Sequence, residues 1–567
     1  MDNKEIVSIL QLTVQLMELH EENPFKIRGY QSAVSSIERE GKPLGDLSIS
    51  ELREFPGIGK SLAETISHIR ESGSHPLLDT LLEKTPDGIR DLLKIKGLGP
   101  KKIKTLWKEL EITSTHELME ACQSGQVAKI KGFGEKTQNS IVQKLEFIAA
   151  NRGKWLYADI DEVGKAIQAS LEKALDQELL APVGAYGRMS EIVENLTFLL
   201  GTSAPGESLK KIDTIKELHR EERYCSPFRW QGAWEPLGLQ VVILLRDKTD
   251  FIRQRLLKTS SHSHLMHPLS GEGTLGEHFH KAAFVSEEEA YASAGLPYIP
   301  AALREGNGEL EWAQQHSLEE LLTVDDLKGP LHNHSTYSDG KNSLRELAEY
   351  CKNAGYEYLG MADHSRSAFY ANGLDEDRIR RQHEEIDRLN EELAPFRIFK
   401  GIESDILMDG SLDYEAEVLA GFDYIVASIH SGLSMDVKKA TTRLIRAIQN
   451  PYTTILGHPT GRLLLRREGY PIDHRAVIEA CAAHQVVIEI NANPWRLDLD
   501  WRWVRYAMEQ GVILSINPDA HANEGIWHMK YGVIAGRKGG LTKDMTLNTK
   551  SADELSDYFE NRKKNKA

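Results

Sequence analysis

The stretch Leu331-His-Asn-His-Ser-Thr-Tyr-Ser-Asp-Gly340 places two histidines at alternate positions behind an apolar lead-in. Residues two apart in an extended strand point to the same face, so His332 and His334 present both imidazoles to one site. Asp339 follows in the turn. Imidazole and carboxylate together suit zinc, manganese or iron. The stretch therefore predicts a strand that ends at a metal.

Further histidines and carboxylates recur downstream, each at or just after a short apolar run. The runs 358–362, 424–428, 454–457, 486–491 and 513–517 alternate with amphipathic segments. This alternation favours a parallel β/α barrel, whose functional groups gather at the carboxyl ends of the strands. The remaining candidate metal ligands are His364, Glu403, His430, His458, Asp519 and His521. Nine candidate positions are more than one ion can use.

The first ~150 residues are typical of short helices separated by tight glycine turns. Three turns share one pattern: Phe55-Pro-Gly-Ile-Gly-Lys-Ser, Ile95-Lys-Gly-Leu-Gly-Pro-Lys and Ile130-Lys-Gly-Phe-Gly-Glu-Lys. Paired glycines let a partner approach the backbone closely and leave N–H groups free at the start of a helix, which suits a phosphate. The candidate DNA contacts are Gly57, Gly59, Lys60, Gly97, Gly99, Lys101, Gly132, Gly134 and Lys136. The turns resemble helix-hairpin-helix motifs, which hold the backbone of duplex DNA.

Length, charge and composition narrow the class of protein to which this chain can belong. A chain of 567 residues has room for roughly three or four domains. The net charge of −16 argues against coating nucleic acid along the whole length, although residues 90–150 carry eleven Lys/Arg against seven Asp/Glu. Four cysteines without a CxxC pair, and an N-terminus unlike a signal peptide, predict a cytoplasmic protein. No apolar run approaches the ~18 residues of a membrane span.

The barrel ligands and their strand contexts resemble the polymerase-and-histidinol-phosphatase (PHP) family over residues 328–567. The resemblance implies a phosphoesterase with three divalent metals, which are manganese, zinc or iron. One ion is then held by His332, His334, Glu403 and Asp519, a second by Glu403, His430 and His458, and the third by Asp339, His364 and His521. Glu403, Asp519 and His430 are the implied catalytic residues.

Three arginines follow His458 in the sequence: Arg462, Arg466 and Arg467. One guanidinium group can donate two parallel hydrogen bonds to the oxygens of a phosphate, so these side chains are candidate contacts for further phosphates of DNA. A solvated arginine-rich surface is the alternative interpretation.

The order of parts resembles bacterial family X DNA polymerases with an appended PHP domain, over the full chain. Matching pieces are Gly184-Ala-Tyr-Gly-Arg-Met-Ser-Glu, Gly238-Leu-Gln-Val-Val and Gly295-Leu-Pro-Tyr-Ile-Pro. The resemblance implies a multidomain fold with a helical N-terminal region, an α/β nucleotidyltransferase-like palm and thumb, and a C-terminal β/α barrel. Its parts are 1–85, an N-terminal helical domain with a helix-hairpin-helix; 86–152, a fingers-like helix-hairpin-helix domain; 153–315, palm and thumb; 316–329, a linker; and 330–567, the PHP domain.

The palm departs from the family pattern at the residues that polymerisation needs. Two magnesium ions require clustered carboxylates, which a family X palm supplies as an Asp-x-Asp pair and a third Asp. The pair positions here are Asn195 and Thr197, and the third is Val242. The segment that receives triphosphate reads Gly184-Ala-Tyr-Gly-Arg188, without the usual hydroxyl and one arginine. We therefore expect a degenerate palm without polymerase activity.

These features predict a metal-dependent 3′–5′ exonuclease that works in DNA repair. The expected partners are DNA 3′ ends, gaps or nicks, with no membrane, and the expected state is a monomer. Three alternatives remain open at the level of sequence. They are a gap-filling polymerase with editing, a small-molecule phosphatase of the histidinol-phosphate type, and a DNA-end scaffold without enzymatic activity.

Overall fold

A computed structural model describes residues 3–40, 44, 47–95, 97–176, 178–271 and 273–566, and Lys96 of the second hairpin lies outside them. The chain divides into two units between Arg152 and Gly153. Within the described residues, no helix is long and apolar enough to cross a membrane. The four cysteines are unpaired, and Cys225 alone is not fully buried.

The first unit is helical, and its glycines and caps set the helix ends. Ser114 and Glu117 form a capping box that begins one helix, while Gly73 ends another with φ +74°. Apolar residues at helical spacing, such as Ile6 and Leu10, form one buried core. The α-helices are Asn3–Leu19, Pro24–Glu40, Ile49–Leu52, Lys60–Ser72, Pro76–Glu83, Asp87–Leu93, Pro100–Leu110, Thr115–Gln123 and Gly134–Asn151.

The second unit begins with a mixed sheet. In spatial order its strands are Leu179–Val183, Leu196–Gly201, Leu239–Arg246, Arg229–Trp234 and Leu218–Arg220. The second and third run parallel, with Thr197 directly opposite Val242. The apolar run from Ile192 to Leu200 is split, because Ile192–Val193 pairs with Trp155–Leu156 and the chain then changes partner. Helices Tyr157–Leu175, Gly184–Gly187 and Pro205–Ile212 accompany the sheet.

Short helices follow the sheet and enclose a buried polar network. His264 contacts Glu309 Oε1 at 2.5 Å through Nδ1 and the Tyr291 hydroxyl at 2.7 Å through Nε2. Arg304, which is fully buried, donates to both carboxylate oxygens of Glu287. Each buried charge therefore has a partner. The helices are Phe251–Thr259, His262–Leu265, Leu275–Lys281, Glu287–Ser293 and Glu309–Ala313.

The segment 316–329 packs against the barrel. Leu321 and Leu322 are fully buried, and the Leu322 amide donates to the Leu541 carbonyl at 2.9 Å. The Lys543 amide donates to the carbonyl of Glu320. Because its leucines are buried, this segment is held in place along the barrel.

The barrel is a closed ring of parallel strands. One sheet has the order Gly401–Asp405, Tyr424–Ser428, Ile455–Leu456, Val487–Asn491 and Leu514–Asn517. Tyr358–Gly360 pairs with Arg397–Phe399 beside it. The first barrel segment, which contains Asn333, closes the ring. Asn333 forms a parallel β-bridge with Ala520 on one side, and its carbonyl accepts a hydrogen bond from the Ala362 amide on the other. The surrounding helices are Leu344–Asn353, Glu376–Leu393, Ala416–Leu419, Val437–Gln449, His474–His484, Val504–Glu509, Met529–Lys538 and Ala552–Lys566.

Several barrel strands are buried on both faces and carry polar residues at every second position. In Val487–Asn491, Ile488 and Ile490 belong to the apolar core, whereas Glu489 and Asn491 point to the other face. Glu403 and Asp405 alternate in the same way on the neighbouring part of the sheet. The polar faces converge inside the ring.

The first unit should lose stability in mild acid because of His75. Its imidazole is 3% exposed and lies 3.0 Å from the Thr13 hydroxyl, and burial lowers the pKa of His75 from 6.5 to about 4. Between these values the unfolded state binds more protons, so the free energy of unfolding falls as pH drops from 6.5 towards 4, by up to about 3 kcal/mol. Native-state hydrogen exchange of Asn3–Leu19 at pH 7 and 5 measures this loss.

His75→Gln should flatten that pH dependence, whereas His116→Gln, at an exposed site on the same unit, should leave it unchanged. An equally steep loss in the His75 variant would show that another group is responsible.

Candidate functional site

Glu403 lies at the centre of the candidate ligands. Its side chain is 1% exposed, and its Oε1 lies 3.0 Å from His458 Nε2, 3.1 Å from His430 Nε2 and 3.3 Å from His332 Nε2. Its other oxygen, Oε2, lies 3.0 Å from His364 Nδ1. One buried carboxylate therefore contacts four histidines from four different parts of the ring.

The first and last segments of the ring meet at Asp519. Its Oδ1 lies 3.1 Å from His334 Nε2 and 3.7 Å from His332 Nε2. Nearby, His521 Nε2 lies 3.4 Å from Asp339 Oδ1. The side chains of Asp339 and His521 are 34% and 38% exposed, while Glu403 is almost wholly covered. The site is thus deep at Glu403 and opens to solvent at Asp339 and His521.

All nine predicted positions come together in this cluster. His458, which belongs to none of the compact groups, joins through Glu403. His364 lies near both Glu403 and Asp339, so it is shared between two groups. The groups with ligand atoms close enough to share an ion are His332, His334 and Asp519; His364, Glu403 and His430; and His334, Asp339, His364 and His521.

A second layer of carboxylates, which the sequence interpretation missed, orients the histidines. Asp405 Oδ1 lies 2.5 Å from His430 Nδ1, and Glu489 Oε1 lies 2.7 Å from His332 Nδ1. Because an ionised carboxylate only accepts, each Nδ1 carries the proton and each Nε2 faces Glu403. The alternation Glu403-Ser-Asp405 along one strand was the sequence signal for Asp405.

The electrostatics of the cluster favour cations. Burial alone would raise the pKa of Glu403, but His430, His332 and His364 outweigh it and hold that pKa well below its usual range. Burial opposes charge on His430 as well, yet Glu403 and Asp405 raise its pKa to about 10. Burial and the neighbouring His521 and His364 lower the pKa of His334 to about 3. The Glu403 carboxylate therefore stays ionised, and the imidazole of His334 is neutral beside it.

Several buried side-chain atoms of the candidate ligands lack a hydrogen-bond partner. Within the described residues, five buried atoms of the cluster make no hydrogen bond of acceptable geometry. Buried polar atoms in folded proteins are nearly always satisfied, so unsatisfied imidazole nitrogens and a carboxylate oxygen within one cluster fit bound cations. The atoms are His332 Nε2, His334 Nδ1, His364 Nδ1, His458 Nδ1 and Glu403 Oε2.

The three predicted phosphate arginines differ in their contacts. Arg462 donates to Asp500 and to the carbonyls of Arg496 and Leu497, so its guanidinium is engaged inside the barrel. Arg466 lies over the Trp495 ring at 3.4 Å.

The third predicted arginine and one other lie near the same site. Arg467, the third, donates a hydrogen bond to the Gly461 carbonyl. A group that the sequence interpretation missed is Arg496, whose Nε lies 3.2 Å from Asp519 Oδ2 at the edge of the cluster. Arg496 is therefore the arginine that reaches a candidate ligand.

The palm positions lie together as the strand register requires. Thr197 is directly opposite Val242, and its hydroxyl donates to Asn195 Oδ1 at 2.6 Å. The Glu191 carboxylate is engaged elsewhere, because it accepts hydrogen bonds from Trp501 Nε1 and Arg502 of the barrel. Amide, hydroxyl and methyl groups therefore occupy the place where a polymerase needs three carboxylates.

The remaining arginine of the triphosphate segment is also engaged. Arg188 Nε lies 3.2 Å from Glu305 Oε1, and the same oxygen lies 2.6 Å from Lys538 Nζ of the barrel. Glu305 thus links the palm segment to the barrel through two cations.

The first two hairpins share one geometry. Gly57 and Gly97 have φ of +81° and +85°, which favours glycine. Gly59 and Gly99 are extended caps without a side-chain hydrogen bond, so no cap side chain occupies the free N–H groups of the first helical turns, to which Pro100 contributes none.

The third hairpin differs from the other two. Here Phe133 is the cap, and Gly134, with φ +62°, is the first residue of its helix. A cavity of about 250 Å³ lined by Lys102, Lys136 and Lys144 adds positive charge between the second and third hairpins. Lys60, Lys101 and Lys136 are all exposed.

Comparison with known proteins agrees with this arrangement. Residues 1–75 match a helix-hairpin-helix domain, residues 89–146 a SAM-like helix-hairpin-helix tandem, and residues 330–493 a PHP domain. Over 577 aligned residues the chain is 34% identical to DNA polymerase/3′-5′ exonuclease PolX of Bacillus subtilis (strain 168), covering 99% of each. The chain belongs to the PolX family of PHP-containing family X polymerases.

Other relatives match only part of this PolX-family chain. Probable phosphatases of Thermoanaerobacter sp. (strain X514) and Caldanaerobacter subterraneus are 28% and 29% identical over 31% of the chain, covering 73% and 70% of their own lengths. Asp519 and His521 lie beyond the matched PHP segment, yet the ring brings them opposite His332 and His334.

Glu489→Gln should weaken the binding of divalent metal by roughly 10- to 100-fold. The carboxylate faces four donors, namely His332 Nδ1, the His458 amide, Asn491 Nδ2 and Asn517 Nδ2. A glutamine amide would point N–H groups at two of them. Competition with a chelator, followed by elemental analysis, measures the change, and Glu479→Gln at an exposed site is the matched control. Unchanged affinity would show that Glu489 does not support the ligands.

Gly99→Val should weaken binding to duplex DNA roughly tenfold, as expected for losing charge-assisted hydrogen bonds of about 1.5–3 kcal/mol. Gly99 has an extended backbone and open space around an added Cβ, so valine leaves the fold intact but prevents close approach of a phosphate. Gly206→Val, at another open glycine, should leave binding unchanged. Titrations at several salt concentrations give the affinity, and equal affinities for both variants would exclude this hairpin as a contact.

Proposed function

We propose that the protein is a metal-dependent 3′–5′ exodeoxyribonuclease whose catalytic centre lies in the PHP domain. The observation that carries the proposal is that the nine candidate ligands lie in one cluster, while the palm has no carboxylate at its three key positions. The full-length similarity to a PolX described as polymerase and exonuclease supports a DNA substrate.

The donor set fits divalent metals. His332, His334, Glu403 and Asp519 would hold one ion, Glu403, His430 and His458 a second, and Asp339, His364 and His521 a third. Mixed imidazole and carboxylate ligands suit manganese, zinc or iron. When bound, these metals supply Lewis-acid stabilisation of the charge that develops on phosphoryl oxygens during hydrolysis.

The chain's own residues prepare the site. Asp405 and Glu489 hold His430 and His332 in the tautomers that turn Nε2 inward. The opening at Asp339 and His521 admits a strand end, while the closed side at Glu403 excludes bulk water. Arg496 lies where it can contact a substrate phosphate next to Asp519.

We further propose that the palm does not extend DNA. Thr197 and Val242 cannot supply the negative charge that holds two magnesium ions. Arg188, the remaining triphosphate arginine, is engaged by Glu305, and Glu191 is engaged by the barrel. The palm then acts as a support that joins the DNA-binding region to the nuclease.

The proposed division of labour follows the chain. Residues 1–85 and 86–152 hold the DNA backbone, 153–315 form the inert palm and thumb, 316–329 connect them to the barrel, and 330–567 cut. Both the DNA-binding hairpins and the complete ligand set are present in one chain, which supports action as a monomer on 3′ ends, gaps or nicks. DNA repair is the process that such an activity serves.

His332→Ala, His334→Ala and Glu403→Ala should each abolish digestion of a 5′-labelled oligonucleotide. Each change removes a ligand from the cluster, so metal content should fall along with activity. Chelation should silence the unaltered protein, and manganese should be the most effective ion in restoring it. Elemental analysis beside the cleavage assay makes both measurements.

His474→Gln serves as the control, because His474 stacks on Trp503 at 4.7 Å and is not a candidate ligand. Duplex binding should persist in all variants, and a circular dichroism spectrum and melting temperature matching those of the unaltered protein show that the barrel is folded. Full cleavage by metal-free protein would contradict the assignment, and a variant that loses metal yet cuts would place the catalytic centre elsewhere. Hydrolysis of small phosphomonoesters without digestion of DNA would favour a phosphatase.

Primer extension should give no product with Mg²⁺ or Mn²⁺ and all four dNTPs. Glu403→Ala is the proper background for this test, because a nuclease would otherwise remove newly added nucleotides. Extension in that variant would refute the loss of polymerase activity.

A further inference from the structure

Exposed apolar side chains of the barrel lie on one face. Among the described residues from 330 onward, the large hydrophobic side chains with high exposure are Phe369, Tyr370, Met408, Val437 and Trp527. All five follow a strand end that bears candidate ligands and precede or begin the next helical segment. The apolar surface of the barrel is therefore concentrated where the candidate metal centre opens.

Phe369 and Tyr370 are the most exposed of these side chains, at 87% and 71%. They belong to the helical turn Phe369–Ala371, five and six residues after His364. The Tyr370 ring centroid lies 6.2 Å from that of His364. The Tyr370 ring thus lies in solvent beside the ligand cluster, and the exposed Phe369 precedes it in the same turn.

Buried side chains and hydrogen bonds hold the turn that carries the two rings. Ala368 and Ala371 are buried, and the Ser367 amide donates to Asp413 Oδ2 at 2.6 Å. The Ser367 hydroxyl donates to Asp405 Oδ2 at 2.9 Å, and Asp405 also holds His430. The backbone that carries the rings is therefore held in place relative to the ligands.

We infer that Phe369 and Tyr370 form a stacking platform for the terminal base of an unpaired DNA 3′ end. The inference rests on the proposed nuclease function and specifies the form of its substrate. A ligand that fits must bring a phosphodiester to the cluster and a flat apolar group to the adjacent rings, and a nucleotide carries both. Stacking accepts every base, because each has a π-face.

The platform has a consequence for substrate choice. A base inside a duplex is already stacked and paired, so it reaches the platform only after leaving the helix, which costs free energy. Single-stranded or mismatched 3′ ends should therefore be degraded faster than paired ends.

The test compares two oligonucleotides that differ only in the last nucleotide, one with a base and one with an abasic residue. Phe369→Ala combined with Tyr370→Ala should lower kcat/KM for the base-bearing end by roughly 5- to 100-fold, the range expected for lost base stacking. The abasic end should be cut at the unaltered rate. Phe369→Tyr combined with Tyr370→Phe keeps both rings and should restore the preference, and Tyr224→Ala, an exposed aromatic of the palm, should change nothing.

A binding measurement separates this inference from the proposed nuclease function. With chelator present, a 3′-terminal 2-aminopurine should be quenched by the unaltered protein and remain bright with the double alanine variant. Quenching without cleavage by the metal-loaded protein would refute the nuclease function but keep the platform. Equal loss on both oligonucleotides, or unchanged quenching in the variant, would overturn the platform.

Discussion

An ionised carboxylate cannot be buried without positive or hydrogen-bonding partners, and Glu403 is such a group at 1% exposure. Its requirement is met by histidines delivered from separate strands of the ring. Two of those histidines, His430 and His332, have acceptors for their other nitrogens in Asp405 and Glu489. The interior of the barrel is thus a polar core built outward from one charge, with the apolar packing displaced to the surrounding helices.

Much of this organisation is visible in the sequence. The alternate histidines of the opening strand, the strand-and-helix alternation and the repeated glycine turns predicted the barrel, the ligand cluster and the hairpins. Glu489 was hidden because an acid within Val487–Asn491 has the same strand context as a surface residue. Arg496 was hidden because it lies in a loop between strands, and its role depends on which segment passes over Asp519.

The palm shows a different limit of sequence interpretation. The absence of carboxylates at Asn195, Thr197 and Val242 could be read directly, since substitution at a known position needs only the register of two strands. The contact between Glu191 and Arg502 could not, because it depends on how the barrel packs against the palm. Arg188 is linked to the barrel through Glu305, which also contacts Lys538. Glu191 and Glu305 here hold two parts of the second unit together.

The ring also has a temporal consequence during synthesis of the chain. His334 lies in the opening segment, and its partner Asp519 lies 185 residues later, just after the last strand. The cluster is therefore incomplete until almost the whole barrel has left the ribosome, although the hairpins and the palm have already emerged. Contacts of such long range also make closure of the ring a slow folding step. The nascent chain thus acquires the ability to hold DNA before it acquires the means to cut it.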